Sequence, residues 1–212
     1  MHSLMRPWKL GLALLLVSAC SLQTHASTVL EMSFQDVLDH AELVFEGRVS
    51  AVESLREDDG MIHTYVRFEV LDVLKGDTPG AVLELRFLGG TVGTQRLDVT
   101  DMTMPEMGES GLYFVESLSS PQVNPLVGWA QGHFLIEPQD GGVPGVLTAN
   151  HEPVLAVDAA DAAPVTAAMN TFSKGVAKGV VVQESLSAQA ASRPLTVDEF
   201  KRSVRALVNE SQ

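Results

Sequence analysis

The side chains able to coordinate a metal or attack a substrate are few and far apart. Downstream of residue 26 the histidines are His40, His63, His133 and His151, and only the fold could gather them around an ion. Asn150-His151-Glu152-Pro153 begins like a zinc-binding helix, but Pro153 breaks the helix such a motif requires. Met102, Met104 and Met107 form a Met-x-Met-x-x-Met cluster. Thioethers are soft ligands that suit Cu(I), so copper binding is one reading. The other is that the methionines fill an irregular apolar gap. Glu53, Glu57, Asp58 and Asp59 crowd a turn. They supply too few oxygens at fixed spacing for a calcium loop, which favours a solvated hairpin tip.

Gly89-Gly90-Thr91-Val92-Gly93 resembles an anion cradle, but no helical pattern follows to lend it a dipole, so it reads as a strand end with a bulge. Trp129 stands in Val127-Gly128-Trp129-Ala130-Gln131-Gly132-His133-Phe134, bracketed by glycines and close to His133. Trp129 with His133 is a candidate contact patch, since tryptophan anchors interfaces. It is equally a core tryptophan for which the glycines make room, and the core reading is preferred. No Gly-x-Ser-x-Gly, His-Glu-x-x-His, phosphate-loop or dinucleotide fingerprint occurs. The residues therefore point to a non-enzymatic domain with no cofactor and no assigned metal site.

The elements that would position these residues are mostly strands. Ser33 reads as a helix N-cap, with Asp36 three residues on, and Phe34, Val37, Leu38 and Ala41 at helical spacing. Met32 and Val37 are placed as a hydrophobic staple. Period-two alternation then runs from Leu43 to Ala51. Glu57-Asp58-Asp59-Gly60 makes a turn, and Thr64–Val70 returns as a strand whose apolar face shifts near Leu71–Val73, the sign of a bulge or a sharp bend. Leu83–Phe87 is a third strand; 94–110 reads as a long loop; Leu112–Val115, Gly128–Ile136 and Val146–Thr148 read as later strands. Residues 156–194 are rich in Ala, Ser and other small residues and read as a linker. Thr196 with Glu199 forms a capping box before a C-terminal amphipathic helix over 195–212.

Residues 1–26 have the layout of a secretion signal. Arg6 and Lys9 precede the apolar run Leu10–Val17, which is too short to span a bilayer. Cleavage after Thr24-His25-Ala26 leaves a soluble domain starting at Ser27. Reading Val17-Ser18-Ala19-Cys20 as a lipobox instead makes Cys20 a lipidated N-terminus and the protein an outer-membrane-anchored lipoprotein. Either way the domain, 27–155, is exported to the periplasm or beyond. Cys20 is the sole cysteine, so the domain has no disulfide and no thiolate chemistry. The net charge is −13, and removing the two positive charges of residues 1–26 leaves −15. That charge excludes nucleic acid and anionic membrane surfaces as partners and leaves a protein or a small molecule.

Three segments carry a family resemblance. They are Phe34–Val49, a short helix running into a strand; Val66–Gly76, a long strand ending in Lys75-Gly76; and Met107–Val115, a glycine-bearing turn into a late strand. This order resembles the netrin module of the tissue inhibitors of metalloproteinases, and a group of exported bacterial proteins of the same layout. The resemblance implies a mainly β fold: a small OB-like antiparallel barrel with a short N-terminal helix and a C-terminal helix. It also implies a role as accessory protein or inhibitor of an exported protease. The N-terminal cysteine with which those inhibitors chelate the protease metal has no counterpart in the soluble mature form, and no position takes over its role, so that mechanism does not carry over. The functional expectation is an exported binding or accessory domain, contacting its partner through the 94–110 loop and the surface around Trp129.

Overall fold

The computed structural model describes residues 29–139, 141–157, 175–182 and 193–210. The expected signal segment and most of the expected linker lie outside them. Helix α1 (Phe34–His40) starts as its sequence requires. The Ser33 hydroxyl accepts from the Asp36 N–H at 3.0 Å, and the Asp36 carboxylate accepts from the Ser33 N–H at 3.3 Å. Its far end is closed by a distant residue: Lys75 Nζ donates to Leu38 O at 2.7 Å and Asp39 O at 3.2 Å. Next to it Gly76 has φ +87° and lies against the Glu42 backbone, where a Cβ would collide. The Lys75-Gly76 pair thus joins the end of the second strand to the end of the first helix.

Six strands form one antiparallel sheet: β1 (Leu43–Arg56), β2 (Ile62–Lys75), β3 (Val82–Leu88), β6 (Ser110–Val115), β7 (His133–Glu137) and β8 (Gly145–Thr148), in the order β3-β2-β1-β6-β7-β8. β4 (Gly90–Val92) pairs with β5 (Gln95–Leu97), and β9 (Val154–Val157) pairs with β10 (Val180–Val182). Glu46 pairs with Asp72 and Gly47 with Val70, so Leu71 is the extra residue of a bulge, where the sequence places one. Helix α2 (Val197–Glu210) begins at the expected Thr196–Glu199 box, with mutual bonds of 2.9 and 3.3 Å.

Both faces of the sheet's middle are covered, which is why Leu112-Tyr113-Phe114-Val115 is a continuous buried run. On one face, α1, α2 and the β9–β10 ribbon enclose Phe34, Phe114, Phe134 and Phe200, whose rings meet at 4.9–6.0 Å. On the other, the sheet curls over Phe45, Phe68, Phe87 and Tyr113, with Met102 and Met104 packed against them.

The mainly β architecture with two helices is as expected, but the closed barrel is not formed. β3 and β8 end the sheet without pairing with each other, and the N–H of Leu88 in β3 instead donates to Val123 O. Three local expectations are also corrected. Residues 95–97 of the expected loop pair back on 90–92, because Gly93, at φ +60°, turns the chain. Trp129–Gly132 is a 3-10 turn and not the start of a strand, since Gly128 and Trp129 both take left-handed backbone. Residues 175–182 of the expected linker are packed: Ala177 and Val180 are buried in the first core, and Phe34 N–H donates to Lys178 O.

Candidate functional site

Tyr113 on β6 pairs in register with His133, the first residue of β7. Side chains opposite one another in a ladder share a face, and the two rings stack at 5.3 Å. Glu109, just before β6, completes the group. Its Oε1 accepts from Tyr113 Oη at 2.8 Å and faces His133 Nε2 at 2.7 Å, while its Oε2 accepts the Glu106 N–H at 3.2 Å. His133 is 1% exposed, and its Nδ1 is buried without a partner. Burial pushes the Glu109 carboxyl up, but the bonds from His133 and Tyr113 outweigh it and hold the group below the usual carboxylate range. Burial and the facing carboxylate push the Tyr113 hydroxyl up, so it stays a donor.

This cluster fastens the Thr103–Ser110 segment to the sheet. Gly108 N–H donates to Val49 O and Val49 N–H to Glu109 O, at 3.0 and 2.8 Å. Beneath the fastened segment lies a cleft of about 450 Å³. Its floor is the β7 face that carries His133, Leu135 and Glu137, continued by Ala149, and its rim carries Met104, Met107 and His151. His151 Nδ1 meets Glu137 Oε1 at 2.7 Å across the rim. Among the described residues no lysine or arginine lines the cleft.

The expected site residues are thereby divided. His133, Met104 and Met107 come to one cleft, whereas Met102 packs on the second core and Trp129 stays off the cleft wall. Met107 is 67% exposed and fills no internal gap, and Trp129 is half-buried, not a core residue. Among the described residues no group of three or more His, Cys, Asp or Glu is placed to hold a metal. The acidic tip is also accounted for: Glu57 accepts from Tyr65 Oη at 2.6 Å and from Arg86 Nη1 at 3.3 Å. The bond from Tyr65, with the nearby His63 and Arg86 charges, holds it below the usual range.

Glu109, Tyr113 and Glu137 were not singled out from the sequence. Glu109 and His133 are 24 residues apart, and only the β6–β7 register joins them. Chemically, the cleft offers the Glu109 and Glu137 carboxylates, already engaged by hydrogen bonds, beside the exposed Met107 thioether and aliphatic surface. Glu109, the best-placed base, is a weak one, because its carboxyl is held below the usual carboxylate range. No family model, curated protein or solved structure matches the chain.

Proposed function

We propose that the chain is an exported binding or accessory domain that holds a protein segment or small molecule in the cleft under Thr103–Ser110. The observation carrying this reading is the Glu109 cluster. It spends its hydrogen bonds on fixing a segment over β7, which preforms a concave, partly apolar site instead of activating a nucleophile. A thermal-shift screen of peptides and small molecules tests it. Compounds that raise the midpoint should lose about tenfold in affinity in a Met107→Lys variant, whose substitution lies at an exposed rim position. A screen without hits, or with hits indifferent to that change and to Glu106→Lys, would remove the reading.

OB-type kinship belongs to the same proposal. It is supported by a long bulged β1 that pairs on both sides, with β2 and with β6, and by the short helix leading into it. Export rests on the basic start and apolar run of residues 1–26. Mass spectrometry of the native N-terminus should find Ser27 or a lipidated Cys20, and an intact Met1 would end that part of the proposal. Among the described residues no helix is long and apolar enough to cross a membrane.

A further inference from the structure

β3 ends one side of the sheet, and its register with β2 determines where its backbone points. Val70 N–H donates to Ala81 O and Gly89 N–H to Ile62 O, and every β2–β3 pair between them keeps the same offset. In an antiparallel ladder, residues that exchange bonds with one neighbour alternate with residues that face away from it. Leu83, Leu85 and Phe87 therefore bond β2, while Val82, Glu84, Arg86 and Leu88 turn their N–H and C=O groups to the open side. At Leu88 that side is already taken, because its N–H donates to Val123 O at 2.8 Å. Beyond Leu88 the two chains part. A groove of about 320 Å³ runs between Leu83–Arg86 and the segment Ser117–Gln122 with Pro125. Gln122 lines it, and Gln122 Oε1 is buried with no hydrogen-bond partner.

We infer that this groove receives an extended peptide segment of a partner protein, which adds to β3 as a further strand and continues the pairing that Val123 begins at Leu88. The unpaired groups select the occupant. Outward N–H and C=O groups at Glu84 and Arg86 repeat at strand spacing, and only another extended backbone matches both. The orphaned Gln122 oxygen calls for a donor from the same segment. Side chains of an added strand alternate between the two faces. On the face of Leu83 and Leu85 they meet apolar surface, including Pro125 and the exposed Leu118, and must be apolar. On the other face they lie beside the Arg67–Glu84 and Arg86–Glu57 pairs, whose charges balance, so polar residues of either sign fit. Among the described residues this groove shares no lining residue with the cleft at His133, and it does not depend on it.

Panning the full chain against a random peptide library tests the inference, followed by hydrogen exchange and a variant. Recovered peptides should be apolar at every second position. Adding one should slow exchange of the Glu84 and Arg86 amides, while those of Leu83 and Leu85 are slow beforehand. Glu84→Pro removes an outward N–H that edge strands can forgo. It should weaken binding about tenfold or more with circular dichroism unchanged, and N-methylation of the peptide at alternate positions should do the same. Recovery of no peptide, peptides lacking the alternation, or amides indifferent to the peptide would overturn the inference. Equal binding to a folded Glu84→Pro protein would overturn it too. If that variant misfolds, exchange in the unsubstituted protein and the N-methylated peptides decide. Self-association abolished by Glu84→Pro would make the occupant a second copy of the chain, which also overturns it.

Discussion

Glu109 is the side chain on which the cleft depends most. It serves three donors from three stretches of chain: Tyr113, His133 and the Glu106 N–H. Replacing it with alanine leaves the Tyr113 hydroxyl and a His133 nitrogen buried without a partner. Such groups cost about 1–3 kcal/mol each. Urea unfolding of Glu109→Ala should show a loss of at least about 1 kcal/mol, and an unchanged midpoint would mean that Glu109 holds nothing. The pH dependence has a definite sign. The folded carboxyl is held below its ordinary range, so its contribution is complete above about 4.3, the unfolded value. It is lost as pH falls through the lower folded value. The stability gap between the unsubstituted protein and Glu109→Ala should therefore narrow as the pH falls through that window, by the part that depends on the ionised carboxylate.

At the scale of elements, α2 is the part whose docking the protein can least do without. Phe200 is fully buried among Phe34 and Phe134. Phe200→Ala should cost about 3–5 kcal/mol in denaturant unfolding, and a loss below about 1 kcal/mol would mean that the helix packs loosely. The same helix is oriented by charge. Lys201 Nζ lies 2.7 Å from Glu46 Oε2 and also contacts Asp72, which Arg205 reaches at 2.7 Å. Lys201 is 12% exposed, so these pairs are screened less than surface pairs. Lys201→Ala should cost more than the ~0–1 kcal/mol of an exposed bridge and less than the ~3–5 kcal/mol of a fully buried one. Its effect should persist at high salt, and complete suppression by salt would place the contact in solvent. The caps of α1 and α2 and the Leu71 bulge were legible in sequence, because a cap spans three residues and a bulge interrupts a period of two. β4, β5, β9 and β10 were not. Each is three or four residues long, and β9 finds its partner across more than twenty positions.

For the whole molecule, the governing features are an acidic surface and a sheet buried on both faces. With −13 net charge, and no lysine or arginine among the described residues that line the cleft, the protein should not retard duplex DNA near physiological salt. A retarded band that disappears with added salt would contradict that. The two cores meet through β1 and β6, whose successive residues point to opposite sides: Val44 and Phe114 to one, Phe45 and Tyr113 to the other. The sheet stays open because β3 ends against Val123 and β8 is covered through the chain entering α2, where Val146 N–H donates to Leu195 O. β3 is met there only at Leu88, so the rest of its outer edge stays open. The expectation of a closed barrel came from the resemblance in element order, and element order does not specify which edges meet.

By itself the amino-acid sequence determined the character of the protein: mainly β, two capped helices, an acidic chain with one cysteine, and no catalytic motif. These properties follow from composition and from patterns within a few residues, where backbone period and capping act. Only the tertiary structure decided that His133 meets Glu109 and Tyr113, that Met104 and Met107 reach the cleft while Met102 does not, that Trp129 stands aside, and that the sheet is open. Each of these depends on strand register, and register is settled by which apolar faces bury against each other across long stretches of chain.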